Sequence, residues 1–324
     1  VAPWAADRVS IFDFVNSNID PQNDRLMDSS MNLPDEEQLN SENELRFVSG
    51  GLEGAFGHHG SPEDTENDAG TAFSGLKAVL RKPSPENLSL FYDTIKSESV
   101  LEYIDPLLDK IVSDGSINLD HLNKLINWLI RNSPDRGPVK IGLAIAGLFA
   151  DKSFHDVISA LGKHDEFTLY ATVAMLNSSD QPEADIWEIA KAVTGWGRIH
   201  AVEGLENTDN PDIKAWLVRE GYRNDIMYEY LAHICATTGN LLSELRKPSP
   251  DDKLLAGAGD ILNTLIIGGP ALDMNDYADG AAASLLYLQH IQKKQPDLKV
   301  YLIVSNLRRI FLTAYISRRP LITI

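Results

Sequence analysis

Two adjacent histidines, His58 and His59, lie in the glycine-rich run AFGHHGS. Neighbouring imidazoles in a loop can ligate a metal. A recognisable site needs further ligands at set spacing, and neither an H-E-x-x-H motif nor a cysteine pair accompanies these two. Gly51, Gly54, Gly57 and Gly60 recur every third residue around them, which predicts an interrupted, turning segment. The glycines resemble a phosphate cradle only superficially, because no Gly-Lys-Ser/Thr follows. A second candidate is the H-x-x-E pair His200 and Glu203. Three-residue spacing puts them on one helix face, where a carboxylate that orients an imidazole begins an acid–base site or makes a surface hydrogen bond.

The third cluster mixes aromatic and basic residues. Trp196, Arg198, Trp216, Arg219, Tyr222, Arg223, Tyr228 and Tyr230 fall within 35 residues. Trp, Tyr and Arg dominate binding hot spots, so Trp196, Arg198, His200, Glu203, Arg219, Tyr222 and Arg223 are candidate binding residues. Helix capping is the competing role for Arg219, Tyr222 and Arg223. Trp216 shares an apolar face with Ile213 and Leu217 and is expected in the core. Neither a G-x-S-x-G elbow nor a cofactor motif is present, and no cofactor is expected. Cys235, the only cysteine, sits on the apolar side of a helical pattern and reads as a buried structural thiol.

The elements that must position these residues are helical. Residues 195–231 read as a helix–turn–helix brick followed by a third helix. Asn210 caps, Pro211 starts and Asp212 complements the dipole of its second helix. From Thr71 onward the apolar spacing predicts about thirteen to fifteen helices and no strand. Pro106 is expected to kink or break the segment VLEYIDPLLDKIV. Eight of the sixteen prolines precede an acid, a helix-start signal. From Pro134 onward their gaps of 48, 29, 39 and 46 residues bracket the period of a two-helix repeat. The hexapeptide LRKPSP occurs at Leu80 and again at Leu245, without further alignment around it.

Charge divides the chain differently. Net charge is −18, and residues 1–70 hold 15 acidic against 3 basic side chains. This stretch reads as an acidic arm of loops and short helices, with residues 71–324 as the helical domain. Residues 293–319 reverse sign, with seven Lys or Arg against Asp297. The acid excess disfavours nucleic acid and anionic membrane, and favours a basic protein partner. No run of 18 uncharged apolar residues spans a membrane, and no signal peptide is visible at Val1. With a single cysteine, these features lead to the expectation of a cytoplasmic protein. The last apolar stripe, Val300, Val304, Leu307, Phe311 and Tyr315, reads as a buried terminal helix rather than a membrane anchor.

Residues 138–246 resemble the HEAT-like α-solenoid superfamily. The resemblance rests on PVKIGLAIAGLFADKSFHDVISALGKHDEFTLYATVAML, the turn GWGRIHAVEGL and the segment WLVREGYRN…EYLAHICATTG. These also resemble bacterial HEAT-like proteins of unassigned function. The implied fold is an all-α superhelix, HEAT/armadillo-like, whose stacked pairs share a core and leave a concave groove. These are packing motifs, and no catalytic residues come with them. The expected function is a non-enzymatic protein-binding module, a regulatory or neutralising partner of a basic protein. The alternatives are an enzyme or metal-dependent site using His58, His59 or the His200/Glu203 pair, and a nucleic-acid-binding array, which the charge disfavours.

Overall fold

The computed structural model describes residues 2–39, 47–59, 66–97, 99–149, 151–294 and 297–317; the side chains of Phe56, His58, His59 and residues 309–317 lie outside that description. The described chain is helical apart from one short antiparallel ladder. There β1 (Ile19–Asp20) pairs with β2 (Arg25–Leu26), in the register Ile19 to Leu26 and Asp20 to Arg25. Its turn places Asp24 at φ 59°, and the Asp20 carboxylate accepts from the Gln22 amide. The turn residues Asp20, Asn23 and Asp24 encode it locally, where the expectation was loop without strand.

The chain divides into two compact units, residues 1–204 and 205–324. In the first, α1 (Ile11–Ser17), α2 (Glu36–Leu39) and α3 (Gly51–His59) come from the acidic stretch. They are followed by α4 (Glu66–Arg81), α5 (Pro85–Ile95), α6 (Ile104–Ser113), α7 (Leu119–Asn132) and α8 (Arg136–Ala146). Then come α9 (His155–Gly162), α10 (Asp165–Ser178), α11 (Pro182–Ala192) and α12 (Trp196–Glu203). Helices that neighbour in sequence pack together, as α7 with α8 and α9 with α10. A second pattern links alternate helices: α4 with α6, α6 with α8, α8 with α10, and α10 with α12. Helices α8 and α10 therefore have neighbours on most sides. Ten of the eleven residues of α8 are buried, Lys140 among them. Pro106 sits in the first turn of α6, where a missing N–H costs nothing, so the helix starts there instead of kinking.

The second unit begins inside the expected brick. It holds α13 (Pro211–Trp216), which runs on into a π-helical segment, Leu217–Gly221, then α14 (Glu229–Thr238), α15 (Leu241–Leu245) and α16 (Asp252–Ile267). Helices α17 (Gly280–Ile291) and α18 (Leu298–Ser317) complete it. Asn210 caps α13 through Oδ1, accepting from the Asp212 amide at 2.9 Å, and Pro211 is the first helical residue. Ile213 and Leu217 are buried as expected, but Trp216 is half-buried and lies over Gly221. The π-helical turn shifts the register after Trp216, and a Cβ at Gly257 would stand 2.0 Å from the Val218 carbonyl. Glycine thus lets α16 lie directly on the π segment. Alternate packing recurs here, α14 with α16 and α16 with α18. In α18, Ile303 and Leu307 are buried and Tyr301 and Leu302 exposed. Phe311 and Tyr315 lie outside the described side chains. Cys235 is buried on α14. No helix of the described residues is long and apolar enough to cross a membrane.

The two copies of LRKPSP each end one helix and lead into the next, with different registers. In the first, Ser84 caps α5 and Pro85 is its first residue. In the second, Asp251, the residue after the hexapeptide, caps α16 by accepting from the Leu254 amide at 2.7 Å. Aspartate is at least as good an N-cap as serine, and its position moves the helix start by two residues.

The glycine run of residues 51–59 is a helix, contrary to the loop expected there. A three-residue period is also one helix face, and Gly54 gives that face to Trp196 of α12. A Cβ at Gly54 would stand 2.1 Å from the indole, whereas one at Gly57 would meet nothing within 4 Å. Gly54→Ala should lower unfolding free energy by about 1–3 kcal/mol through overpacking. Gly57→Ala should raise it by about 0.5–1 kcal/mol through helix propensity. Urea unfolding of both variants checks the pair; equal effects would mean that α3 does not rest on Trp196.

Candidate functional site

The charged groups buried most deeply lie where α2 and α3 meet α8 and α10. Lys140, at 0% exposure, donates to Glu53 Oε1 at 2.5 Å and pairs with Glu166 Oε1 at 2.7 Å. Arg136 forks onto Asp35, with Nε to Oδ2 at 3.1 Å and Nη2 to Oδ1 at 3.0 Å. Its backbone amide donates to the same Oδ2 at 2.8 Å, so Asp35 caps α8 from 101 residues away. Glu36 adds a bond to Nη2 at 2.6 Å, and Glu166 also accepts from the Gly50 amide at 3.0 Å. Tyr170 donates to Glu53 Oε1 at 3.3 Å, and burial raises its hydroxyl well above the ordinary value, so it stays a donor. Burial alone would raise the Glu166 carboxyl, but Lys140 and Arg136 overcome it and hold it down at about 2.

His164 sits beside this network, fully buried. Its Nδ1 accepts from the Glu166 amide at 3.2 Å, capping α10, so its Nε2 carries the proton and donates to the Met31 carbonyl at 3.2 Å. Burial lowers its pKa to about 4, so the ring is neutral. The next residue, Asp165, accepts from the Gly197 amide at 2.6 Å and serves the open end of α12. A Cβ at Gly197 would lie 2.4 Å from Thr168 Oγ1, which explains the glycines around Trp196. None of these acids and bases was singled out from sequence. Lys140 inside the apolar run VKIGLAIAGLFA was the available signal.

The residues nominated from sequence fall into separate clusters in the two units. In the first unit Trp196 is buried under α3 and stacks with His200 at 6.3 Å between ring centroids. His200 Nδ1 and Glu203 Oε2 are 3.5 Å apart, with the imidazole buried and the carboxylate half-exposed. Arg198 is buried too, and Nε donates to the Val193 carbonyl at 2.9 Å, at the end of α11. These residues join α12 to its neighbours. In the second unit Arg219 donates to Asp251 at 2.7 Å and to the Ala215 carbonyl at 2.9 Å. Tyr222, fully buried, donates to Asp260 at 2.7 Å, and Arg223 donates to the Tyr222 oxygen at 3.0 Å. Lys299 of α18 reaches Asp260 at 2.7 Å. The backbone of His58 and His59 ends α3, and their ligating atoms lie outside the described residues. Among the described residues no three His, Cys, Asp or Glu side chains converge to hold a metal.

Two surface clefts of the first unit carry reactive side chains or open apolar surface. A polar cleft of about 260 Å³ holds His155, Ser179 and Asp185. His155 Nε2 is 3.0 Å from Asp185 Oδ2, and Ser179 donates to that same oxygen. The hydroxyl proton goes to the carboxylate and not to the imidazole, so the order differs from that of an activated serine.

The other is an apolar groove of about 430 Å³ at the junction of α4, α5 and α7. Val79 and Leu80 come from α4, Pro83 from the connection, and Pro85 and Leu88 from α5. Leu125 and Trp128 form the α7 wall, with His121 and Lys124 on the same helix. Trp128 stacks on Trp4 at 5.0 Å, and Trp4 packs on Tyr92 at 4.8 Å. Tyr92 and Arg8 both bond Asp135, at 2.7 and 2.9 Å, immediately before α8. A Cβ at Gly137 would stand 2.1 Å from the Ser97 carbonyl, so α8 abuts the end of α5. Asp135 and Gly137 thus fix the α5 side of the groove, and the Trp4 stack ties it to α7.

No protein-family model, curated protein or solved structure matches this chain.

The buried ions give two expectations. Lys140→Met should destabilise by about 3–5 kcal/mol, because it leaves Glu53 buried without this cation and Glu166 with Arg136 alone. Adding Glu53→Gln to Lys140→Met should recover part of that loss; denaturant titration of the single and double variants checks it. Because the folded pKa of His164 lies below its ordinary 6.5, the folded state binds fewer protons. Stability should therefore be full above pH 6.5 and fall as pH drops toward 4, by on the order of 3 kcal/mol. Glu166, depressed from 4.5 to about 2, should add a second loss below pH 4.5. His164→Asn keeps a capping acceptor and should flatten the first limb; an unchanged limb would assign it to another group.

Proposed function

We propose that the chain is a non-enzymatic protein-binding module built as a HEAT-like solenoid. The groove between α4, α5 and α7 carries the reading. It is apolar, open, tryptophan-lined and held by packed helices on each side. Aromatic side chains in a preformed apolar cleft are the usual anchors of a binding hot spot. Two proline residues on its rim restrict the backbone there, which lowers the ordering cost of binding. The solenoid reading is supported by the alternate-helix packing within each unit, α4 through α12 and α14 through α18, the relation expected of stacked two-helix repeats.

The −18 charge by itself suits a basic partner, as solubility alone would also explain. Of the residues nominated for binding, Trp196, Arg198, His200 and Tyr222 are buried. A contact role at the surface is left to the exposed parts of Arg219, Arg223 and Glu203.

The test compares intact chain with a Leu88→Asp variant, each immobilised and exposed to extract of the native cell. A protein retained by the first and reduced at least about ten-fold on the second, a loss of about 1.4 kcal/mol, supports the reading. Matching thermal unfolding of the two chains shows that the variant is folded. Identical retention profiles would remove the groove from the binding surface.

A further inference from the structure

Among the described residues, the groove of this acidic molecule is lined by Lys124 and His121 and by no carboxylate. Most described lysines and arginines are engaged in ion pairs or hydrogen bonds: Lys77 with Asp114, Lys110 with Glu66, Lys163 with Asp24, Arg219 with Asp251. In a chain with 47 acids and 29 Lys and Arg, such pairing is the expected state of a cation. Seven described cations depart from it, namely Arg25, Arg81, Lys82, Lys124, Arg246, Lys293 and Arg308, and three of the seven, Arg81, Lys82 and Lys124, lie on or next to the helices that line the groove. All three are exposed, and none makes an ion pair among the described residues. Lys124 lines the groove directly, and Arg81 and Lys82 join its lining residues Leu80 and Pro83. His121, one turn before Lys124 on the same face, is likewise exposed and adds a donor. No described Asp or Glu lines the groove, and the acids nearest in sequence to its lining are Glu86 and Asp120.

Resting on the protein-binding reading, we propose that the occupant of this groove is a short acidic segment of a partner protein. Its apolar side chains fill the cleft between Leu88 and Trp128, and its carboxylates meet Lys124, Arg81 and Lys82. Apolar burial supplies the affinity. The cations, unpaired in the free protein, bring no internal ion pair to break and favour a negatively charged segment over others. An acidic segment is repelled by the rest of this surface, so the rim also sets where it docks. A basic segment finds attraction over the acidic surface generally and none at the groove.

A phage-displayed library of random 12-residue peptides, selected on the intact chain at low salt, tests this. Enriched peptides are expected to carry Asp or Glu beside Leu, Phe or Trp. Their binding should fall by about ten-fold on Lys124→Glu, weaken with added salt, and be lost on Leu88→Asp. Peptides that depend on Leu88 but are neutral or basic and indifferent to Lys124→Glu would overturn the acidic partner and leave the protein-binding reading standing. Absence of any Leu88-dependent peptide would overturn both. Dodecanoate binding that Leu88→Asp abolishes, in the absence of such peptides, would assign the groove to a small apolar acid instead.

Discussion

Lys140 is the constraint on which the first unit depends. A lysine ammonium with no access to water is tolerable only when carboxylates replace its hydration. Glu53 and Glu166 do so, one from α3 and one from α10, and each is itself too buried to stand alone. Arg136, one turn earlier on α8, draws Asp35 and Glu36 into the same arrangement. The acidic stretch before α4 is thereby fastened to the central helices by buried ion pairs. A hydrophobic replacement of similar shape could be as stable. The ionic version specifies where α2 and α3 dock, because an acid displaced by one turn would leave its cation bare.

That attachment reaches the groove through α8. The helix is capped by Asp35, its preceding residue Asp135 collects Tyr92 and Arg8, and Gly137 lets it touch the end of α5. The Trp4–Trp128 stack then ties this assembly to α7. The walls of the groove are thus set by contacts behind them, and the cleft exists before any partner arrives. Preorganisation of this kind reduces the entropy lost on binding.

Charge acts on two scales here. The net charge is a property of the whole surface and governs solubility and long-range attraction. Within a screening length of about 8 Å in physiological salt, only the local pattern counts. Lys124 lines the groove, and Arg81 and Lys82 flank its lining residues Leu80 and Pro83 in sequence. Net charge and the local pattern at the groove are therefore separate quantities, and they differ in sign at Lys124.

Helix content was legible in the sequence, because apolar spacing, the Asn210 cap and Pro-acid starts are local signals, and local hydrogen bonding answers to them. The terminal apolar stripe was read as a helix for the same reason. The glycine period of residues 51–60 was ambiguous in principle: loop-breaking and one helix face share a spacing of three. Only the indole of Trp196, 142 residues from Gly54, decides between them. The aromatic and basic residues of 196–223 were legible as a cluster, but burial belongs to the fold, and the fold buries Trp196, Arg198, His200 and Tyr222. The ion network was hidden because its members, Asp35, Glu53, Arg136, Lys140 and Glu166, are unremarkable acids and bases until tertiary packing removes their water. The groove was hidden likewise, since Leu80, Leu88 and Trp128 follow ordinary core spacing. Sequence determines which residues are apolar and which turns begin helices; which apolar faces remain uncovered is decided only when the helices have packed.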